Sequence, residues 1–409
     1  MKDKKILFGT FIALLLLLTT GLSYAYFSAS ISGNENAKNV VVEAGTLSLV
    51  YTDGPEIKAQ NIKPSWSTTK EVSVKNNGTL DTNYNVIWQS LTNEIINNEM
   101  VISATCQRLN ASGTVEGTCE PISQAAISNM TIAKKISIES GITHKYTFTI
   151  LFKETNADQN TNQGKKFNGV LGIEEYIPTQ FEKDNWSTIV SNVKSGNINA
   201  YNVGDIKNVD LGTYGTHTLR IANISTPSEC SGTGFSQSAC GFVLEFADII
   251  TTHTMNDTDT NVGGWPSTSM RTFVNNDIYN AIPNEIKNAI IDTTVVSGHG
   301  KSDIENFTST DKLYLLAPKE IYSDWSTYQS ANDTAKDLTR TLDYYKNLGT
   351  STSNRSGVKK KNGTSADYWW FRTASSNTLE GFYTVASTGT YSNDVAVYTH
   401  GVAPAFRLG

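Results

Sequence analysis

Lys145-Tyr146-Thr147-Phe148-Thr149-Ile150-Leu151-Phe152 decides the fold class of the first half of this chain. Apolar and polar residues alternate through it with the two-residue period of a strand, and aromatic and β-branched side chains dominate. Runs of the same kind surround it: Val40-Val41-Val42, Leu47-Ser48-Leu49-Val50-Tyr51, Glu71-Val72-Ser73-Val74, Tyr84-Asn85-Val86-Ile87-Trp88 and Lys135-Ile136-Ser137-Ile138. Turn residues separate them, as in Asp53-Gly54-Pro55 and Asn76-Asn77-Gly78. Short strands punctuated in this way predict an all-β sandwich over residues 35–177. A polar loop from Asn156 to Lys166 leads into a closing strand, Leu171 to Tyr176.

Beyond the sandwich the pattern changes. Residues 178–183 read as a linker, and 184–409 as an α+β surface domain, so the chain is multidomain. Asp184 to Ser195 sets Trp186, Ile189, Val190 and Val193 at helical spacing. His217 to Ile224 and Phe242 to Ile250 read as strands flanking a cysteine loop. Ser267 is placed to cap a helix that runs to Tyr279. Lys312 to Leu316 reads as a buried strand and Asp337 to Leu348 as a further helix. Tyr368–Thr373, Phe382–Ala386, Val395–Tyr398 and Val402–Leu408 read as closing strands.

The N-terminus carries a leader. Met1-Lys2-Asp3-Lys4-Lys5 is basic, an uncharged run follows from Ile6 to Asn34, and Ser23-Tyr24-Ala25 is a small-x-small cleavage triplet. Residues 1–27 are therefore a signal peptide or an uncleaved signal anchor, and either places the rest of the chain outside the cytoplasm. A net charge of −6 argues against a nucleic-acid partner. Lys359-Lys360-Lys361 reads as a solvated loop. With 18 Tyr and 7 Trp the composition is that of a strand-rich extracellular protein.

The four cysteines form two close pairs, Cys106/Cys119 and Cys230/Cys240. Their gaps are too wide for the C-x2-4-C spacing of zinc sites, and no His is near either pair in sequence. Outside the cytoplasm such pairs become disulfides. Each is expected to staple the base of a hairpin loop, a stabilisation of roughly 3 kcal/mol in the chain-entropy model.

Two resemblances follow from particular residues. An apolar leader ending in Tyr24-Ala25-Tyr26-Phe27-Ser28, then Val42-Glu43-Ala44-Gly45-Thr46-Leu47-Ser48-Leu49 and Val74-Lys75-Asn76-Asn77-Gly78-Thr79-Leu80-Asp81, resembles the camelysin and biofilm-matrix-fibre family of Gram-positive bacteria. That family implies an exported jelly-roll-like sandwich; some members form fibres and others have been called metalloproteases. Here there is no His-Glu-x-x-His, and the sandwich region contains a single His, His144, so a zinc-protease reading lacks its ligands. The second half resembles a bacterial surface-domain family of unassigned function. The resemblance is carried by Tyr201-Asn202-Val203-Gly204-Asp205, Leu219-Arg220-Ile221-Ala222-Asn223, Gly263-Gly264-Trp265, Leu313-Tyr314-Leu315-Leu316, Trp370-Phe371-Arg372-Thr373-Ala374-Ser375 and Gly401-Val402-Ala403-Pro404-Ala405-Phe406-Arg407-Leu408. Its ending is also similar to the C-type-lectin-like fold.

Candidate sites are few. Asp257, Asp259 and Asn261 alternate as calcium-loop ligands do, but Val262 and Thr268 stand where an EF-hand needs Gly and Glu, so a solvated turn is the default. The five His are scattered, no Gly-x-Ser-x-Gly occurs, and no catalytic residue or cofactor is expected. Arg220, Arg271, Arg372 and Arg407 sit among apolar residues and need acids, with Asp205, Glu245, Asp248 and Asp311 as candidates. Trp369, Tyr391, Asp394, Tyr398 and His400 form the candidate ligand site for an extracellular glycan or protein, with Trp369 as its anchor. The expected function is an exported or surface-anchored binding, adhesin-like protein without catalysis. Its rivals are a structural subunit of a surface fibre and an unrecognised extracellular hydrolase.

Overall fold

The strand pattern around Lys145–Phe152 takes three-dimensional form in a computed structural model that describes residues 39–44, 47–325 and 338–409. The leader expected over 1–27 lies outside them. The chain divides into two compact units, residues 1–177 and 178–409.

The first unit is built from ten strands: β1 (Asn39–Ala44), β2 (Leu47–Thr52), β3 (Ser67–Asn76), β4 (Thr82–Asn93), β5 (Met100–Leu109), β6 (Val115–Thr118), β7 (Ile122–Ala126), β8 (Thr131–Ile138), β9 (Thr143–Phe152) and β10 (Phe167–Glu175). One sheet runs β1-β2-β3-β9-β5-β6, with β7 also on β5; the other runs β10-β4-β8. In β9 every second residue, His144, Tyr146, Phe148, Ile150 and Phe152, is buried, and those between are half-buried. Tyr146, Phe148, Ile150 and Phe152 share a core with Tyr84, Val86 and Trp88 of β4. Fully burying each large apolar side chain contributes about 1.5–3 kcal/mol. Cys106 on β5 and Cys119 just past β6 are joined by a disulfide. The Cys119 N–H donates to the Cys106 carbonyl at 3.2 Å, so the bond closes the β5–β6 hairpin at its base.

The second unit opens inside the stretch expected to be a linker. Helix α1 (Gln180–Lys183) is capped by the Thr179 hydroxyl, which accepts from the Glu182 N–H at 3.3 Å. Its Phe181 is fully buried against Trp186, Tyr201 and Phe242. An apolar anchor of this size draws 178–183 into the core. Helix α2 (Trp186–Ser195) follows as expected. Asn185 caps its start, and Gly196, at φ 73°, supplies the left-handed residue that ends it.

The remaining strands are β11 (Ile206–Asp210), β12 (Thr216–Asn223), β13 (Val243–Phe246), β14 (Thr251–Thr254), β15 (Thr293–Ser297), β16 (Phe307–Asp311), β17 (Lys360–Asn362), β18 (Ser365–Asp367), β19 (Trp369–Ala374), β20 (Gly381–Val385), β21 (Tyr391–Val395), β22 (Thr399–Val402) and β23 (Ala405–Arg407). They form the sheets β11-β12-β13-β23 and β14-β22-β19-β20-β21 and the hairpins β15-β16 and β17-β18. Between β12 and β13 lies the second disulfide, Cys230–Cys240.

Three local expectations change. The helix expected from Ser267 is capped by Thr268 and turns through a π segment at Val274–Ile278. Leu313 to Leu316 are fully buried but join no ladder beyond an isolated Tyr314–Ala405 bridge. The helix expected over 337–348 is only α3 (Asp343–Asn347), and Asp337 lies outside the described residues. Leu342 donates its N–H to the Glu320 carbonyl instead, and Thr339 bonds the Glu320 carboxylate, so tertiary partners override the local helix. Among the described residues, no helix is long and apolar enough to cross a membrane.

Candidate functional site

His144 lies on the core side of β9, opposite Arg108 of β5, while Cys106 lies opposite Tyr146 two residues along. Residues 106 and 108, like 144 and 146, share a face because strand side chains alternate. His144, Arg108, Cys119, Glu120, Ile136, Ser137 and Glu139 therefore line one hollow of about 240 Å³ at the end of the sandwich. Behind it the Tyr84 hydroxyl is 2.9 Å from His144 Nδ1 and 2.8 Å from the Tyr146 hydroxyl. Arg108 forks to Glu116 at 3.1 Å and Glu139 at 2.6 Å.

The electrostatics follow from this placement. Burial, reinforced by the Arg108 charge and opposed by Glu139, pushes the imidazole of His144 down to about 4, so it is neutral near pH 7. Burial pushes the Tyr146 hydroxyl up to about 12 and Tyr84 further, so both stay protonated and can donate. A neutral imidazole, two rim carboxylates and a guanidinium thus converge on a solvent-open hollow.

The sequence expected no His near either cysteine pair. The fold supplies one: one ligand atom each of Cys106, Cys119 and His144 lies within 4.8 Å of the others. The separation in sequence hid this. The available signal was the strand period itself, which puts His144 on the same face as Tyr146 and Phe148.

In the second unit the expected ligand site divides. Trp369 is fully buried, as is Trp370, because β19 is an inner strand covered on both faces. Neither ring is a surface anchor. Tyr391 lies on β21 and packs against Trp325 at 5.1 Å and Tyr322 at 6.2 Å. Asp394, Tyr398 and His400 do come together. His400 Nε2 is 2.8 Å from the Asp394 carboxylate, the His400 ring stacks on Tyr368, and Tyr398, 55% exposed, stands edge-on to it. Tyr368 was missed as a member of this group.

The arginines behave unequally. Arg220 pairs with Glu245 at 2.8 Å and Arg271 with Asp311 at 2.6 Å, while the fully buried Arg372 pairs with Glu320 at 2.7 Å. Arg407 forms no ion pair among the described residues, and burial lowers its pKa. Lys360, read as solvated, is fully buried and 2.9 Å from Glu245. Asn261, read as a calcium candidate, is buried and donates to the carbonyls of Ser375, Thr378 and Gly381, which ties its loop down.

The fold and the hollow define a β-rich, disulfide-stapled chain of two units. Residues 3–93 match the family described as camelysin metallo-endopeptidase, and residues 242–409 match a domain of unknown function, DUF6273. None of the curated proteins matches the chain. The camelysin match overturns the expectation of a binding protein without catalysis, since that family is one of metallo-endopeptidases. The family name implies a metal. In the oxidised chain the residues do not fit one: Cys106 and Cys119 are bonded to each other, and a metal ligand must be a thiolate. His144 is then the only member of that group able to coordinate.

Proposed function

We propose that this chain is an extracytoplasmic protein of the peptidase class, acting on peptide bonds at the His144 hollow. Its second unit is a lectin-like module that holds a glycan or protein ligand on the Tyr368–Tyr398–His400 face. The observation that carries the first part is the convergence of His144, Glu120, Glu139 and Arg108 on one open hollow, within a unit whose leading segment matches a metallo-endopeptidase family. In this reading the imidazole takes a proton from an attacking water at Nε2, with Nδ1–H donating to the Tyr84 oxygen, and the guanidinium opposes the charge that develops on the carbonyl oxygen. The basic leader supports export. The exposed Tyr398 beside a His–Asp pair supports ligand contact, since an amphipathic ring binds with little loss of entropy.

The full chain should be incubated with unfolded casein and the products read by mass spectrometry. His144→Gln should slow cleavage by about 10²-fold or more, the range of one general base, with an unchanged fold by circular dichroism. No cleavage by the wild type, or equal cleavage by the folded variant, overturns the reading. On a glycan and protein array, Tyr398→Ala should lose the signal that the wild-type chain gives; an equal signal removes that face as the binding surface.

A further inference from the structure

Arg407 ends β23 partly buried, and its Nε is fully buried with no hydrogen-bond partner. No carboxylate among the described residues acts on it. The one ionisable group that does is Tyr314, whose hydroxyl already donates to the Ser238 carbonyl at 2.7 Å. Burying a charged donor without an acceptor is costly. Arg220, Arg340, Lys360 and Arg372 of the same unit each have a carboxylate at 2.7–3.0 Å. We infer that Arg407 anchors a binding site for a carboxylate, walled on one side by Gly241 and Thr226. The site stands apart from the His144 hollow and from the Tyr398 face, so neither of those readings carries it.

The wall is built and open. Gly241 has φ 72°, and a Cβ placed on it would lie 3.3 Å from Arg407 Nη2 and 3.8 Å from the Thr226 hydroxyl oxygen. Guanidinium and hydroxyl thus border one space that glycine leaves clear. The backbone groups of Gly241 are already engaged: its N–H donates to the Ser225 carbonyl at 2.9 Å, and its carbonyl accepts from Asn223 Nδ2 at 2.8 Å. The Cys230–Cys240 disulfide holds the residue before it, so the wall is fixed before a ligand arrives. Thr226 is exposed, and its hydroxyl can donate to a bound oxygen.

The local charge favours an anion. Residues 238–241 meet an arginine at three points: Arg372 Nη2 on Ser238 Oγ at 3.1 Å, Arg340 Nη1 on the Ala239 carbonyl at 2.9 Å, and Arg407 beside Gly241. Glu320 neutralises the first, and Asp343 with Glu229 the second. The third keeps its charge. A guanidinium offers its N–H groups as a planar fork that fits the two oxygens of a carboxylate. One positive charge matches a carboxylate better than a phosphate dianion. A peptide C-terminus and a sugar acid carry the same group, and the test separates them.

The full chain, isotope-labelled at arginine and glycine, is titrated with sodium acetate at an ionic strength held constant with sodium chloride. The Arg407 Nε–H and Gly241 amide resonances should move together and saturate, with a dissociation constant on the order of millimolar, about what two charge-assisted hydrogen bonds give. N-acetylglycine and glucuronate then present the carboxylate on a peptide end and on a sugar. The tighter of the two identifies the source, and equal binding means that the carboxylate alone is read. In Arg407→Met the Gly241 resonance should no longer respond, and Arg407→Lys, which keeps the charge but loses the fork, should respond more weakly. Acetate should raise the melting temperature of the wild type and leave Arg407→Met unmoved. In carboxylate-free buffer Arg407→Met should melt no lower than the wild type, because it removes a buried donor that has no acceptor; a purely structural arginine would give the opposite result. Wild-type resonances unmoved by all three carboxylates overturn the inference. So does a response kept by Arg407→Met, or a folded Arg407→Met chain that melts lower without carboxylate.

Discussion

The two units bury ionisable groups by different means. In the sandwich the buried Glu99 is held by neutral amides, Asn162 at 2.6 Å and Gln159 at 2.7 Å, and the buried His144 by a tyrosine hydroxyl. In the second unit the two largest buried clusters are built from opposed charges. Glu245 takes Arg220, Lys360 and the Tyr345 hydroxyl, and Glu320 takes both terminal nitrogens of Arg372 as well as Ser238, Thr339 and the Ala317 N–H. The difference teaches where each unit is vulnerable. Losing one member of an ion cluster strands a charge in the core, whereas losing a neutral donor leaves a polar atom that water or a neighbour can satisfy.

The largest expected effect tests this directly. Glu320→Ala removes the buried carboxylate that accepts from both terminal nitrogens of Arg372. Breaking a buried pair from one side costs about 3–5 kcal/mol. Denaturant unfolding should show the second unit melting early with the sandwich transition unmoved, and Glu320→Leu combined with Arg372→Met should recover most of the loss. A double variant no better than the single one would mean that the pair is worth more than the charge it neutralises, and the comparison would break. Next, removal of the Cys230–Cys240 bond by a double Ser substitution should cost roughly 3 kcal/mol in the same transition, and removal of Cys106–Cys119 a similar amount in the sandwich. Equal shifts in both units from either variant would contradict their independence.

These two expectations also mark what the sequence could and could not tell. Disulfides were legible because each pair is local in sequence. The strand face Tyr146–Phe152 was legible because half-buried strands alternate. The Arg372–Glu320 pair was not, because its members are 52 residues apart and a buried carboxylate looks like any other Glu in sequence. Lys360 failed for the same reason, since a run of three lysines reads as solvent-facing unless Glu245 is known to lie opposite. Trp369 failed for a different one. Alternation assigns one residue of a pair outward only if the sheet has an outward face, and β19, flanked by β20 and β22, has none. The hollow was visible only once β5 and β9 were known to pair.

A smaller effect sharpens the sandwich side of the comparison. His144 has its folded pKa lowered to about 4 by burial and the Arg108 charge, against about 6.5 unfolded. The unfolded chain therefore binds the proton more readily, and the stability present above pH 6.5 is lost as pH falls towards the folded value. Between pH 6.5 and pH 5 the loss should reach at most about 2 kcal/mol, from the limiting slope of roughly 1.4 kcal/mol per pH unit. His144→Gln should flatten that part of the profile. An unchanged profile in the folded variant would assign the dependence to other groups.

The smallest effect isolates charge from burial at the same residue. Arg108 and Glu139 are both on the rim, and their 2.6 Å pair is largely solvated, with Glu139 60% exposed. Exposed pairs contribute about 0–1 kcal/mol, so Glu139→Gln should change stability by no more than that. Its influence on His144 has a definite sign even so. The Glu139 carboxylate favours the imidazolium and Arg108 opposes it. Glu139→Gln should move the His144 titration, followed by imidazole proton shifts in NMR, to lower pH, and Arg108→Gln should move it to higher pH. Both shifts should shrink in high salt, because the rim is within reach of counter-ions. If both variants left the midpoint where it is in the wild type, burial alone would set it. The rim would then be electrically silent towards the imidazole, and a guanidinium placed to oppose charge in the hollow would have lost its main support.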